Sequence, residues 1–180
     1  MMNLLKLRDE IYSPLFSVKD VRLFIPGLTY RQVNSWGAKG MICDRRENKR
    51  FGWRRFSIAD AVRLKVVWDL RRHGFSSQKI KRIVGCIRDD YMLGCLGKQR
   101  TYLLVSKLLR GVLFVPQRDL LERSRFVMEH CFGPVILLPL FEYVQEITFG
   151  LTMRRRGWSA SRLRRELKGE VEDGHNRHHT

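Results

Sequence analysis

The feature that most constrains how this chain can fold is the run Gly52-Trp-Arg-Arg-Phe-Ser57, which leads directly into the amphipathic stretch Ile58–Leu70. Two arginines stand between two aromatic residues, and Ser57 with Asp60 three positions later is a variant of the helix capping box. The aromatic side chains are suited to anchoring a turn on a hydrophobic core, and guanidinium groups are suited to binding phosphates. The run therefore predicts a basic turn that is fixed to a packed domain and is followed at once by a helix.

Two further helix starts precede this turn. Ser17 and Asp20 have the spacing of a capping box, and the helix that they open should end near Ile25–Gly27, where proline and glycine disfavour its continuation. Thr29 caps a second helix. Its inner face carries Val33, Trp36, Gly37 and Gly40, and its outer face carries Arg31, Asn34, Ser35 and Ala38. A small, polar outer face is what a helix needs in order to approach base edges in the major groove.

A polar loop separates the second helix from Gly52. Residues 41–43 and 51–53 favour two short strands, with a turn-prone, basic loop between them. The cationic residues of that loop are Arg45, Arg46, Lys49 and Arg50. After the helix that begins at Ile58, the sequence Arg71-Arg-His-Gly74 predicts a glycine C-cap, and an apolar stripe from Ile80 to Ile87 predicts a fourth helix. Residues 16–88 therefore predict the order helix, turn, helix, basic wing, helix, helix.

The charge of the chain indicates a polyanionic partner. Its 35 Lys and Arg residues outweigh 18 Asp and Glu residues, for a formal charge of +17, and residues 1–90 alone hold 20 basic and 9 acidic side chains. The longest apolar run, Pro134–Phe141, has eight residues and two prolines, which is too short to span a bilayer. The N-terminus has charges where a signal peptide needs apolar residues. We expect a cytoplasmic, nucleoid-associated protein with no membrane partner.

The pattern changes after Asp90. Strands are expected at 101–106 and 112–115 as a hairpin, a helix from Asp119 to about Cys131, a buried strand at 135–138 and a short helix at 141–149. The expected organisation is an N-terminal arm (1–15), a DNA-binding domain (16–90), a small α+β module (95–150) and a basic, partly disordered tail (151–180) with at most one helix, at 159–168.

The order of the N-terminal elements resembles the DNA-binding domain of the mercury-resistance-regulator (MerR) family of bacterial transcription factors. The segments that carry the resemblance are Phe16-Ser-Val-Lys-Asp-Val21, Leu28-Thr-Tyr-Arg-Gln-Val33 with its continuation to Ile42, Gly52-Trp-Arg-Arg-Phe-Ser57 and Leu70-Arg-Arg-His-Gly-Phe-Ser76. The resemblance implies an α+β fold in which a winged helix-turn-helix of four helices and a two-strand wing precedes the small module. It also implies a sequence-specific regulator that binds double-stranded DNA.

The resemblance also implies which residues contact DNA. The family's second helix enters the major groove, so base edges or adjacent phosphates should meet Tyr30, Arg31 and Asn34, since arginine pairs with guanine and asparagine with adenine. The wing should hold phosphates or a neighbouring minor groove, and Arg54 and Arg55 are its strongest candidates. The complete expected DNA-binding set is Thr29, Tyr30, Arg31, Asn34, Arg45, Arg46, Lys49, Arg50, Trp53, Arg54 and Arg55.

The chain departs from the family in two places. Asn34 stands where the family often has arginine, and Gly37 and Ala38 replace charged residues, so the second helix should make lighter contacts and the wing should carry more of the binding. Activator-type members have a long dimerisation helix after the position of residue 90, which glycines at 85, 94, 97 and 111 disfavour here. The strands of the module are too apolar for so small a unit to bury. We therefore expect a homodimer through residues 95–150, or a protein partner bound there.

Two other functions fit the same domain. One is an antitoxin-type repressor whose C-terminal module binds a toxin, and the other is an excisionase-like factor that bends DNA. A neighbouring toxin or integrase gene would distinguish them from a simple regulator.

The chain carries no recognisable catalytic motif. It lacks a phosphate-binding glycine-rich loop with lysine, HExxH and GxSxG, and its 5 histidines form no constellation with carboxylates. The cysteines at 43, 86, 95 and 131 form no CxxC pair, which favours reduced structural thiols over a zinc site or disulfides, and disfavours metal sensing through Cys86 and Cys95. We expect neither enzymatic activity nor a cofactor or bound metal.

Overall fold

The computed structural model describes residues 9, 11–42, 54–97, 99–106, 112–130 and 135–157. In chain order the elements are β1 (Phe16–Ser17), α1 (Val18–Val21), α2 (Tyr30–Ala38), β2 (Arg55–Phe56), α3 (Ile58–Arg72), α4 (Ser77–Gly85), α5 (Asp89–Leu96), β3 (Thr101–Ser106), β4 (Leu113–Pro116), α6 (Leu120–His130), β5 (Val135–Leu138) and α7 (Leu140–Arg155). Most of the two strands expected at 41–43 and 51–53, and the helix expected at 159–168, lie outside the described residues.

The first three helices begin where the capping residues of the sequence place them. The Ser17 hydroxyl accepts from the Asp20 N–H at 3.3 Å, and the Asp20 carboxylate accepts from the Ser17 N–H at 3.0 Å, which completes the expected capping box. Thr29 closes an equivalent box with Gln32, and Ser57 closes one with Asp60. Each box satisfies backbone N–H groups that the first turn of a helix leaves without a partner. Local hydrogen bonds therefore fix the starts of α1, α2 and α3.

The first helix is shorter than the sequence predicts. It ends at Val21 rather than near Ile25. Beyond it, the N–H of Leu23 bonds the carbonyl of Asp20 and the N–H of Phe24 bonds that of Val21, so the chain continues in tight three-residue turns. These turns lead to Gly27, whose φ of 81° is a left-handed conformation that glycine adopts without strain. The chain thereby reverses towards α2.

The other two helices of the N-terminal part match their expected patterns. Gly74, with a φ of 75°, follows the cations at the end of α3 and provides the expected C-cap. Trp68 of α3 is only partly buried, with its ring centroid 6.3 Å from that of Trp36 on α2. The apolar stripe from Ile80 to Ile87 is buried as predicted, although α4 ends at Gly85 and Ile87 follows the helix.

A helix that the sequence does not predict, α5, follows residue 88. It contains Gly94, which lowers its intrinsic helix propensity. Tertiary packing compensates, because Met92 and Cys95 are buried and the Gln145 side chain on α7 donates to the Cys95 carbonyl at 3.0 Å. Residues 89–96 therefore form a helix through contacts with distant segments, which the local sequence does not encode.

The C-terminal strands form an antiparallel sheet of order β4-β3-β5, and β3 has the predicted bounds. Leu104 lies opposite Leu113 on one side and Leu137 on the other, so these three side chains share one face of the sheet. Helix α6 covers part of that face through Val127, which packs with Leu104 and Val115. The opposite face joins the main core through Leu103, Val105 and Leu138.

Helix α7 is longer than predicted, reaching Arg155 rather than ending at residue 149. Its length follows from what it buries: Leu140, Val144, Ile147 and Leu151 recur on one face and belong to the same core as the residues of α3. Ile11 of the expected N-terminal arm is also in this core, at 2% exposure. Among the described residues, one main core thus runs from Ile11 to Leu151 and crosses the boundary expected at residue 90.

Candidate nucleic-acid interface

Helix α2 presents one face to the core and the other outward. Val33 and Trp36 are buried, while Arg31 and Ala38 on the opposite side are exposed and Asn34 is half-buried. Tyr30, in the first turn, is 46% exposed. The expected outer face of the second helix is therefore where the sequence places it, and its N-terminal half carries the groups able to reach a nucleic acid.

The hydroxyl of Thr29 is occupied by the helix cap. Its Oγ1 donates to Gln32 Oε1 at 2.9 Å and accepts from the Gln32 N–H at 3.2 Å. The Thr29 N–H donates to the same amide oxygen at 2.8 Å. This side chain holds the start of α2, so its part in an interface is to fix the direction of the helix.

A cleft of about 400 Å³ opens beside the N-terminus of α2. It brings together residues of β1, α1, α2 and the segment around β2. Its lining residues are Ser17, Val18, Lys19, Arg22, Tyr30, Arg54 and Arg55. Lys19 and Arg22 are exposed, and Arg55 is half-buried opposite Ser17 in the β1–β2 pair. The cleft is thus rimmed by cations from two elements that the chain separates by more than thirty residues.

Lys19 and Arg22 are not among the DNA contacts expected from the sequence. The signal is nevertheless present in it, because Lys19 in the first helix and Arg22 at its C-cap each follow a buried valine, Val18 and Val21. Positions three residues apart in a helix share a face, so the two cations lie together beside the buried valines. Both are exposed cations that belong to neither the second helix nor the wing.

Arg54 occupies a different position from its neighbour Arg55. It is only 3% exposed, and its Nη1 donates to the backbone carbonyl of Val33 on α2 at 2.7 Å. The guanidinium group lies against Gly37, one turn further along the same helix. Arg54 therefore contacts α2 from behind its outer face, whereas the sequence led us to expect a phosphate contact.

Five of the expected DNA-binding residues lie outside the described residues. They are Arg45, Arg46, Lys49, Arg50 and Trp53. The expected basic wing is for this reason represented here only by its last residues, Arg54 and Arg55, and by the pairing of Phe56 with Phe16 that follows them.

The groups associated with other chemistry are dispersed. Cys86 is exposed, whereas Cys95 is buried, and burial raises the pKa of its thiol. Within the described ranges, no three His, Cys, Asp or Glu residues lie close enough together to hold a metal ion. None of the helices in these ranges combines the length and the apolar composition needed to cross a membrane.

A short helix, a turn and a second helix with an exposed polar face, beside a cleft rimmed by cations, define a basic protein of the helix-turn-helix class. Residues 25–85, about a third of the chain, match the family model of the MerR HTH family regulatory proteins. The resemblance to the MerR family is thereby confirmed, and the chain carries a MerR-like helix-turn-helix domain, the mark of a DNA-binding transcription regulator. No curated protein matches the chain.

Proposed function

We propose that this protein is a sequence-specific transcriptional regulator that places α2 in the major groove of double-stranded DNA. The observation that carries the proposal is the joint exposure of Tyr30 and Arg31 at the start of α2, next to the cleft that Lys19, Arg22 and Arg55 rim. A helix with a polar face can enter the major groove, and cations on both sides of its N-terminus meet the phosphates that border the groove.

The proposed contacts divide into two kinds. Arg31 and Asn34 read base edges, with Tyr30 beside them on an adjacent phosphate or base. Lys19, Arg22 and Arg55 bind phosphates, together with the loop cations Arg45, Arg46, Lys49 and Arg50. Base contacts specify the sequence, whereas phosphate contacts set position and supply most of the salt-dependent affinity.

Selection of bound sites from random duplexes tests this division. The full-length protein should select a short motif, and Arg31→Ala or Asn34→Ala should change the preference at one or two positions by roughly 1–3 kcal/mol each. Arg72→Ala is the matched control, because Arg72 is exposed but does not line the cleft. An unaltered motif in both α2 variants would show that α2 is not the element that reads DNA.

We also propose that the protein is a homodimer through the module at 95–150. Three apolar side chains of α6 face solvent: Leu121 at 86% exposure, Met128 at 62% and Phe126 at 54%. Leu113 and Leu137, at the two edges of the adjacent sheet, are 40% and 41% exposed. Exposed apolar groups concentrated on one element mark an interaction site.

The charge of α6 favours a second copy as the partner. Glu122 and Glu129 balance Arg123 and Arg125, so this helix is neutral in a protein of charge +17. Two copies that approach through any strongly basic face repel each other, whereas α6 carries acidic and basic groups that pair across a two-fold axis. A dimer also gives two DNA-binding domains, which read two half-sites.

A further inference from the structure

Arg54 is tied to the middle of α2 by one hydrogen bond and by close packing. Its Nη1 donates to the Val33 carbonyl at 2.7 Å, and the residue is only 3% exposed. In an α-helix that carbonyl already accepts the N–H of the residue four positions later, here Gly37. A carbonyl has two lone pairs, so the guanidinium uses the second one without breaking the helix.

The guanidinium group of Arg54 packs directly against Gly37. A Cβ at position 37 would lie 2.7 Å from both Nη1 and Nη2 of Arg54 and 2.9 Å from its Cζ. Every residue other than glycine therefore displaces the guanidinium group, whatever the chemistry of its side chain. Gly37 lies within α2 and needs no unusual backbone conformation, so this close approach is the feature of the structure that requires glycine there.

Arg54 and the residue that follows it both line the cleft beside α2. Arg55, the next residue, rims that cleft and pairs with Ser17 in the β1–β2 ladder. The contact with Val33 thus links the strand that carries Arg55 to the helix that carries Tyr30 and Arg31. Burial of a charged group is costly unless its hydrogen bonds are made, so the bond to the Val33 carbonyl stabilises the buried guanidinium against α2.

We propose that Arg54 is a positioning residue of the DNA interface, that its guanidinium group packs on Gly37, and that Arg54 makes no contact with phosphate. It fixes the distance between the phosphate-binding cations of the cleft and the base-reading groups of α2. The inference rests on the proposed DNA-binding function and assigns to Arg54 a part that its position between aromatic residues in the sequence does not suggest.

The salt dependence of binding separates the two parts that Arg54 could play. Removing a cation that binds a phosphate weakens every sequence about equally and lowers the slope of log affinity against log salt by about one. Removing a positioning residue leaves the number of phosphate contacts unchanged, because no contacting charge is lost. Its effect falls on the ratio of affinities for the selected site and for a scrambled duplex.

The test measures binding of the full-length protein to both duplexes by fluorescence anisotropy over a range of salt. Arg54→Ala should reduce the ratio of specific to non-specific affinity by roughly tenfold or more, with the slope unchanged. Gly37→Ala, which removes no charge and favours helix formation, should reproduce that result. The double variant should be no worse than Arg54→Ala alone, because both changes break the same contact.

Arg55→Ala is the matched control, one residue away, and should lower the slope by about one while leaving the ratio nearly constant. Arg54→Lys keeps the charge but not the planar group, so it should resemble Arg54→Ala. A lower slope with an unchanged ratio in Arg54→Ala, restored by Arg54→Lys, would overturn the inference and make Arg54 a phosphate ligand. The affinity ratio and the salt slope of the wild-type protein are the reference for all of these variants. Failure of the wild-type protein to bind duplex DNA would instead overturn the proposed function itself.

Circular dichroism shows whether each variant is folded. Arg54→Ala can destabilise the domain generally, but Gly37→Ala alters a helix position in the direction of higher helix propensity. A folded Gly37→Ala variant with unchanged specificity would therefore overturn the inference even if Arg54→Ala does not fold.

Discussion

Tyr143 on α7 donates a hydrogen bond to Asp69 on α3, with 2.7 Å between its Oη and Asp69 Oδ2. Lys65, one turn earlier on α3, lies 3.7 Å from the same carboxylate oxygen, and its Nζ is 5.4 Å from the centroid of the Tyr143 ring. Burial, with the hydrogen bond to Asp69 and its charge, raises the pKa of Tyr143, so the hydroxyl remains a donor at physiological pH. This contact fixes the last described helix on the helix that follows β2.

Replacing Tyr143 by phenylalanine should lower the free energy of unfolding by about 1–2 kcal/mol, because Asp69 loses a hydrogen-bond donor in a partly buried site. Urea denaturation of the full-length protein measures the change. Tyr102→Phe is the control, since the Tyr102 hydroxyl makes no hydrogen bond in the described part of the chain and its removal should cost much less. Equal losses in the two variants would show that the bond to Asp69 adds nothing to stability.

Gly150 on α7 lies against Phe24, in the turn that follows α1. A Cβ at position 150 would come within 2.2 Å of two ring carbons of Phe24. Gly150→Ala should therefore destabilise the protein by about 1–3 kcal/mol, the usual cost of overpacking a core. Gly85→Ala is the matched control, because nothing lies within 4 Å of a Cβ there. A Gly150→Ala variant as stable as Gly85→Ala would contradict the packing of α7 on the N-terminal part.

The ion pair of Asp20 and Arg154, at 3.3 Å, predicts a pH-dependent contribution to stability. Burial alone would raise the pKa of Asp20, but hydrogen bonds from Ser17 and the hydrogen bond and charge of Arg154 outweigh burial, and the pKa is lowered from its ordinary value of 3.8. A lowered pKa stabilises the fold only while the carboxylate is ionised. The contribution should thus be complete above about pH 5 and disappear as the pH falls through the folded pKa.

Asp20→Asn should accordingly cost roughly 0.5–1 kcal/mol at pH 7 and less near pH 3. Chemical denaturation at both pH values measures the difference. Asp90→Asn is the control, because Asp90 is 72% exposed and its ion pair with nearby Arg88 lies on the surface. A cost for Asp20→Asn that is constant or grows towards acid pH would rule out this linkage.

The sequence predicts local features well in this chain. The caps at Ser17, Thr29 and Ser57 and the glycine stop at Gly74 depend on neighbouring residues only, and all four are found. The continuous apolar run Tyr102–Val105 between two polar residues gives strand β3 its predicted bounds for the same reason.

What the sequence does not predict depends on contacts between distant segments. Helix α5 forms in spite of Gly94 because Met92 and Cys95 are buried in the core. Helix α7 extends to Arg155 because Leu151 packs there and Arg154 meets Asp20. The burial of Arg54 depends on its meeting Val33, 21 residues away in the chain, so the pair of arginines at 54 and 55 reads as two equivalent cations until the fold separates them.

The proposed homodimer predicts that sedimentation of the full-length protein at tens of micromolar gives twice the monomer mass. Changing Leu121 and Met128 together to glutamine should yield monomers, because it removes the apolar groups of α6 that face solvent. Arg118→Gln is the control, since this residue is exposed and lies just before α6. A wild-type protein that sediments as a monomer would refute the homodimer and favour a different protein as the partner of this surface.

The central claim is that duplex DNA is bound through the cations around α2, and its salt dependence tests that claim most directly. Lys19, Arg22 and Arg55 with the four loop cations make seven candidates for phosphate contacts, and six to ten such contacts predict a fall in affinity of roughly 10³–10⁵-fold between 50 and 200 mM salt. Replacing Lys19 and Arg22 by alanine should lower the slope by about two. Affinity that does not change with salt, or tighter binding to a single strand of the same length, would contradict the account.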